Sequence, residues 1–227
     1  MGEIIENQKL PFKPFEDALR ESNLFPLTTT GVEVLQINFG KLCNQACKHC
    51  HVEAGPNRTE IISREVLESC LDILRASDIP TVDITGGAPE MNPHLEWFVE
   101  EAVALNRHVM VRSNLTILLE PNYEHLAQFY ADQSVEVVAS LPYYAERFVD
   151  SQRGKGVFDK SIQSLKKLNA LGFGDETTGL LLNLVYNPVG AFLPPSQAGI
   201  EADFKRELWK RYGIQFNHLF RASLKSA

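Results

Sequence analysis

The sequence predicts an α/β fold in which parallel strands are joined by crossover helices. Three observations carry this. Strand-like segments of period two alternate with helix-like segments of period 3.6 from residue 31 onward. The helix-like stretches are punctuated by start and stop residues, with Ser63 and Asn92 before them and Gly172 and Gly213 after them. The residues of unusual chemistry fall just after strand ends, where parallel α/β folds collect their function. Such alternation leaves open a partial or complete β/α barrel and an open doubly wound sheet.

Residues 1–30 read as a leader or strap, because Pro11, Pro14 and Pro26 interrupt it and no period is sustained. Pro11, Pro14, Phe15, Leu24 and Phe25 supply its apolar surface. Residues 31–227 form the core domain. Residues 32–38 alternate Val32, Val34, Leu35 and Ile37 as a first strand. Ser63 caps a helix with the stripe Val66, Leu67, Cys70, Leu71 and Leu74. Residues 81–85 make a second strand that ends in Gly86 and Gly87. Asn92 and Pro93 read as the cap and first position of a helix burying Leu95, Phe98, Val99, Ala102 and Val103. Residues 108–112 are a strand, 122–131 a helix and 135–140 a strand. Residues 158–171 form a helix with Ile162, Leu165, Leu168 and Leu171 inward, followed by a strand over 180–185. Residues 201–212 form a helix with Phe204, Leu208 and Tyr212 on one stripe, and 214–220 a last strand. The pattern thus holds six strands and five helices.

The 227 residues suffice for one large domain or two small ones. A net charge of -7 repels phosphate backbones. The basic pairs at 166–167, 205–206 and 210–211 read as solvated helix faces, so nucleic acid is not an expected partner. No run of about 18 apolar residues would span a membrane. The charged first 23 residues contain no signal core, and the expected location is cytoplasmic. In a reducing compartment clustered cysteines are metal ligands rather than disulfide partners.

Three of the four cysteines, Cys43, Cys47 and Cys50, lie in a Cx3Cx2C spacing directly after the first strand. Thiolates hold iron–sulfur clusters, and a four-iron cluster normally takes four of them. Three ligands in one loop leave one iron open to a small molecule. Three other readings compete. Structural zinc would need His49 or His51 as a fourth ligand. Covalent haem would use Cys47, Cys50 and His51 as C-x-x-C-H but leave Cys43 unexplained. Three unligated core thiols are the last. Cys70, on a helix stripe, reads as a small core residue.

Residues 83–90 end the second strand in Gly86, Gly87, Ala88, Pro89 and Glu90. Glycines permit positive φ and close approach of a ligand or another backbone. Alone this is a turn; beside the cysteine loop it is a candidate rim.

The two motifs together resemble the radical S-adenosylmethionine (radical SAM) superfamily. The resemblance implies a partial (β/α)6 TIM-like barrel, its sixth strand incomplete here. It implies that Cys43, Cys47 and Cys50 ligate three irons of a [4Fe-4S] cluster whose fourth iron chelates SAM. The backbone at Gly86, Gly87 and Ala88 would hold the methionyl ammonium, and Glu90 belongs to the same cofactor-binding rim. One electron from the cluster, supplied by a donor such as flavodoxin or ferredoxin, then releases a 5′-deoxyadenosyl radical. One departure is His49, where the family usually carries an aromatic ring against adenine.

Residues 35–40, 43–60, 86–90, 112–116, 138–142, 152–158 and 184–188 are in addition similar to the arsenosugar-biosynthesis radical SAM group (ArsS-type), a likeness running from about residue 30 to 218. It implies addition of the deoxyadenosyl group to a dimethylated trivalent arsenic, a small-molecule substrate. Two departures stand out. That group continues into a cysteine-rich C-terminal domain, so a chain ending at Ala227 reads as truncated or frameshifted. Ser113 stands where many relatives carry cysteine. The alternatives are a radical SAM enzyme with another substrate and a non-catalytic iron–sulfur or zinc-binding fragment.

The remaining rim residues have two readings each. Asn114, Ser140 and Asn183 are candidates for the SAM ribose or carboxylate, or else satisfy turn and strand-end backbone. Arg153 pairs with the SAM carboxylate or is an exposed loop arginine. Tyr143 and Tyr144 wall a substrate pocket or pack. His94, His108 and His125 read as ordinary surface or helix histidines, while His218 has no clear assignment. No residue stands out as a catalytic acid or base.

Overall fold

The computed structural model describes residues 13–48, 50–187 and 196–221. The chain divides into two compact units, Met1–Val32 and Glu33–Ala227. The first contains α1 (Phe15–Glu21), a seven-residue helix with no buried side chain. Lys13 bridges to Glu21 at 2.6 Å, and the Arg20 guanidinium lies over the Phe25 ring at 3.7 Å. Both contacts are exposed, and such surface pairs contribute at most about 1 kcal/mol. Pro11 lies outside the described residues.

The second unit is one six-stranded sheet. Its strands are β1 (Val34–Asn38), β2 (Thr81–Thr85), β3 (His108–Ser113), β4 (Glu136–Ser140), β5 (Leu182–Tyr186) and β6 (Leu219–Arg221). Every neighbouring pair is parallel and the spatial order is the chain order. Sequential parallel strands require crossovers, which place the helices on one side of the sheet and curl it. Those between β1 and β6 are α2 (Arg64–Arg75), α3 (Leu95–Ala104), α4 (Leu126–Asp132), α5 (Glu146–Arg153), α6 (Val157–Ala170) and α7 (Gln197–Tyr212). β1 and β6 are its two edges, so the barrel is partial and open.

Strand alternation sorts the side chains. Val82, Ile84, Val109, Val111, Val137, Ala139, Leu182 and Leu184 are buried facing the helices. They meet Leu67, Leu71 and Leu74 of α2, Phe98 and Val99 of α3, Leu165 and Leu168 of α6, and Phe204 and Leu208 of α7. Each such side chain contributes about 1.5–3 kcal/mol relative to an exposed one. The opposite face is polar. Gln36 Nε2 donates to Asp83 at 2.6 Å, and Arg112 grips Asp83 through Nε and Nη2, each at 2.8 Å. Deeper in the barrel His108 meets Glu136 at 2.7 Å, Asn183 Nδ2 donates to Glu136 at 2.7 Å, and Asn183 Oδ1 accepts the His218 amide at 2.9 Å.

Several boundaries differ from expectation for identifiable reasons. Val66 is exposed, because the α2 stripe narrows to Leu67, Leu71 and Leu74. Ser63 occupies the N-cap backbone position of α2 without its side chain capping the helix N–H groups. α3 begins at Leu95 rather than Pro93, because the Asn92 amide donates to Ile62 O and its Oδ1 accepts the His94 N–H. α4 begins at Leu126, after a 3-10 turn over Thr116–Leu119 that no periodicity announced. α5 buries only Val149, too little to make a visible stripe. β6 is three residues long, although pairing to β5 begins earlier, where the Asn217 N–H donates to Leu182 O at 2.8 Å. His108 is exposed, as expected, and in addition meets Glu136. Among the described residues no helix is long and apolar enough to cross a membrane.

Candidate functional site

The loop after β1 and the turn after β2 are stitched together by backbone. The Gly87 N–H donates to Gly40 O and the Ala88 N–H to Leu42 O, each at 2.9 Å. The cysteine loop closes on itself through Cys43 N–H to Gly55 O at 3.2 Å and Gly55 N–H to Lys41 O at 3.0 Å. This approach is what the glycines permit. A Cβ on Gly87 would lie 2.3 Å from Leu42 O, and Gly86 has φ 135°. Gly87→Ala is therefore expected to lower stability by about 1–3 kcal/mol through backbone displacement. Gly55→Ala, whose Cβ comes no closer than 4.0 Å to any neighbour, should be close to neutral; denaturant midpoints compare the two.

A third segment clamps the loop from β3. Asn114 Nδ2 donates to Asn44 Oδ1 at 2.7 Å and reaches Cys43 Sγ at 3.6 Å. Its Oδ1 accepts from Thr116 Oγ1 at 3.0 Å and from the Ile117 N–H at 3.2 Å. Gln45 Nε2 and Asn44 Nδ2 both donate to Thr116 Oγ1, at 2.8 and 3.0 Å. Between them Leu115 takes φ 70°, and its carbonyl is held by Ser164 Oγ at 2.7 Å. A positive φ at a buried leucine costs on the order of 1–3 kcal/mol and persists only where its surroundings enforce it. Here it reverses the chain so that Asn114 and Thr116 both face the cysteine loop.

Cys43, Cys47 and Cys50 are free thiols that line one cavity of about 260 Å³. Gly86, Gly87, Arg112, Asn114, Ser140 and Arg153 line it as well. Among the described residues no three Cys, His, Asp or Glu side chains converge on one metal-ion position. The three thiols share the cavity lining. Backbone donors already point at two sulfurs, Gln45 N–H at Cys43 (3.5 Å) and Ala54 N–H at Cys50 (3.3 Å). Such N–H···S contacts favour thiolates and tune cluster potentials. Burial pushes the Cys43 thiol up despite Gln45 and Asn114, and pushes Cys47 up against the opposing charge of Arg153.

Arg153 closes α5 and faces the thiols, with the last turn of α5 tied to the cysteine loop by Lys48 N–H to Gln152 O at 3.1 Å. Its Nη1 and the neighbouring Gln152 Nε2 are buried without a partner among the described residues. Burial pulls the guanidinium pKa down, opposed by the three cysteines. Orphaned buried donors beside three thiols are the feature an anionic ligand would satisfy, so the residues present fit a cluster with a carboxylate-bearing ligand.

Not every expected residue reaches the cavity. Ala88 is buried under the loop with its N–H already bonded. Asn183 lies deep in the barrel, holding Glu136 and β6. Glu90 is 4% exposed, turned into the core by the 3-10 turn Pro89–Met91. Burial raises its carboxyl to about 7. The Ser113 and Tyr130 hydroxyls lie beside it, yet neither carboxylate oxygen has a hydrogen bond of normal geometry. Tyr143 and Tyr144 stack on each other at 4.1 Å and pack edge-on against Phe204. His49 and Pro188 lie outside the described residues. Gln45, Arg112 and Gln152 also line the cavity; they lie in segments 43–60, 112–116 and 152–158, but nothing in the sequence singled them out as site residues.

Comparison with known proteins agrees with this geometry. A match to the family described as Radical SAM superfamily spans residues 37–187. The chain is 32% identical over 133 residues to the mycofactocin maturase MftC of Mycobacterium ulcerans (strain Agy99), covering 59% of this chain and 35% of that protein. It is 28% identical over 131 residues to the antilisterial bacteriocin subtilosin biosynthesis protein AlbA of Bacillus subtilis (strain 168), covering 57% and 29%. The chain thus matches about a third of the length of these relatives. Among solved structures, Streptococcus suis SuiB bound to S-adenosylmethionine superposes with a TM-score of 0.61 at 16% identity, over 92% of this chain and 44% of that one. The anSMEcpe structure with bound AdoMet gives 0.55 at 16% identity, over 85% and 51%. The partial barrel is therefore shared. With the match running from within β1 to just past β5, and so across the cysteine loop, the glycine rim and the Arg153 wall, the chain belongs to the radical SAM superfamily, whose cofactors are a [4Fe-4S] cluster and SAM.

Proposed function

We propose that this chain is the core of a radical SAM enzyme. The observation that carries the reading is one cavity that joins three free thiols, a glycine rim and two orphaned buried donors. Cys43, Cys47 and Cys50 would ligate three irons. The N–H groups of Gly87 and Ala88 are occupied by the cysteine loop, while the carbonyls of Gly86 and Gly87 accept no hydrogen bond from the described residues. An ammonium needs acceptors, so these two carbonyls are the groups that would hold the methionyl ammonium. Arg153 Nη1, with Gln152 Nε2 and the Ser140 hydroxyl on the same wall, would take the SAM carboxylate. Asn114 acts through the cysteine loop rather than on the ribose. Together the bound cluster and SAM supply a 5′-deoxyadenosyl radical when an external donor such as flavodoxin or ferredoxin provides one electron.

For the substrate, the likeness over residues 30–218 supports a dimethylated trivalent arsenical, to which the deoxyadenosyl group would add as arsenic gives up one electron, offsetting the one the donor supplied, and its hydroxyl loses the proton. A second reading is a peptide substrate. It is favoured by a structural neighbour, SuiB, solved with its precursor peptide SuiA (TM-score 0.60). Anaerobic reconstitution with iron and sulfide tests the enzyme. A brown protein whose cluster spectrum shifts with SAM, and which yields 5′-deoxyadenosine on reduction, is expected. A colourless zinc protein indifferent to SAM would end the proposal. Dimethylarsinous acid should then give an arsenic–deoxyadenosyl adduct; free 5′-deoxyadenosine alone rejects the arsenical.

A further inference from the structure

Arg112 sits where the cofactor reading does not use it. It is on β3, near the middle of the sheet, and pairs in register with Val138, two residues before Ser140. Its side chain therefore sets out one layer deeper in the barrel than the Ser140 wall, and it lines the same cavity. Asp83, 4% exposed and itself held by Gln36, takes the Nε edge of the guanidinium. A guanidinium has five N–H donors. This pair uses the Nε donor and one on Nη2, leaving the Nη1 side without a partner among the described residues. The Arg112 side chain is 39% exposed. Strands lie on either side of it, so that exposure is to the barrel lumen. A bidentate carboxylate clamp fixes the orientation of the plane, so little entropy is lost when a ligand uses the remaining fork.

We propose that Arg112 is the substrate anchor: its free fork, held by Asp83 at the cavity floor, takes a small oxyanion, an oxygen carried on arsenic or on carbon. This rests on the proposed enzyme reading, in which SAM occupies the rim above and the reacting group must approach from the lumen. Arg112 then selects small substrates bearing an anionic oxygen over neutral ones of the same size; trivalent dimethylarsinous acid is neutral near pH 7, so this anchor favours an anionic substrate over that arsenical.

Calorimetric titration of the SAM-loaded, reconstituted full chain tests this with two anions, dimethylarsinate and acetate, and the neutral trimethylarsine oxide. At least one anion is expected to bind, and to bind at least about tenfold more tightly than the neutral oxide. The preferred anion tells an arsenic-borne from a carbon-borne oxygen. Arg112→Gln should weaken anion binding about tenfold or more while SAM affinity stays within about twofold, and Arg112→Lys should recover part of it. Because Arg112→Gln strands the buried Asp83 charge, the double variant Asp83→Asn with Arg112→Gln serves where the single one fails to fold. Absence of anion binding by the unaltered chain, equal binding of the neutral oxide, or loss of SAM affinity in the variants overturns the proposal. The 5′-deoxyadenosine yield of the same preparation reports separately on the enzyme reading. Yield without anion binding defeats only the anchor, whereas anion binding without yield defeats the enzyme reading and with it the anchor's role toward a substrate, leaving an anion site alone.

Discussion

Replacing Cys47 with alanine is expected to reduce the iron and sulfide retained after reconstitution to background and to abolish 5′-deoxyadenosine formation. Cys47 sits between Cys43 and Cys50 in a loop pinned on three sides: to the glycine rim, to the segment after β3 and to the last turn of α5. Cys70, the remaining cysteine, is on α2, half-buried against the core, and does not line the cavity. A cluster left with two protein ligands loses the third anchor that holds it against solvent and chelators. Cys70→Ala removes only a small core group, with an expected cost of about 1 kcal/mol, and should leave iron content unchanged. Iron and sulfide analysis with the visible spectrum of both variants reads the difference. Equal loss in both would mean that the ligands are misassigned.

Replacing Glu90 with glutamine is expected to stabilise the protein at pH 8. The carboxyl is buried behind the glycine rim, and burial raises it from 4.5 to about 7, with Ser113 and Tyr130 only partly opposing this. A carboxyl whose folded-state pKa lies above its unfolded value favours folding most when protonated in both states. As pH rises from about 4.5 the unfolded chain ionises first, so stability falls up to about pH 7 and is constantly lower above it. At 1.36 kcal/mol per pH unit this amounts to on the order of 3 kcal/mol. Glutamine has the same shape, carries no charge and adds donors toward the unsatisfied Tyr130 hydroxyl. Urea unfolding at pH 5 and pH 8 should show the variant more stable by on the order of 2–3 kcal/mol at pH 8 and near equality at pH 5. A variant less stable than the parent at pH 8 would show that the ionised carboxylate is well solvated by its neighbours.

The strands and the principal helices were legible in the sequence because apolar period is a local property. β2 runs over Thr81–Thr85 as its alternation predicts, and α7 stops at Gly213, which takes φ 67°. The elements that escaped are those without a strong stripe. α5 buries one residue, yet it carries Gln152 and Arg153 to the thiols. Asn92 fits a helix cap and Glu90 fits a rim, but their side chains are claimed by partners about 30 residues away in the chain or by core burial. Asn183 and His108 meet at Glu136 only because β3, β4 and β5 lie side by side. The match covers only about a third of the curated relatives' length, so the likeness that names the family does not by itself assign the substrate.

By itself the sequence determined the parallel α/β architecture, the cysteine loop and the glycine turn facing it, because each depends on residues close together in the chain. The tertiary structure alone decided which groups at the rim are free to bind. The Gly87 and Ala88 amides are taken by the cysteine loop, while the Gly86 and Gly87 carbonyls, Arg153 Nη1 and one fork of Arg112 have no partner among the described residues. The physical reason is that hydrogen-bonding capacity is a balance. Whether a donor remains available depends on the partners that distant strands bring to it, and no spacing within one segment records those partners.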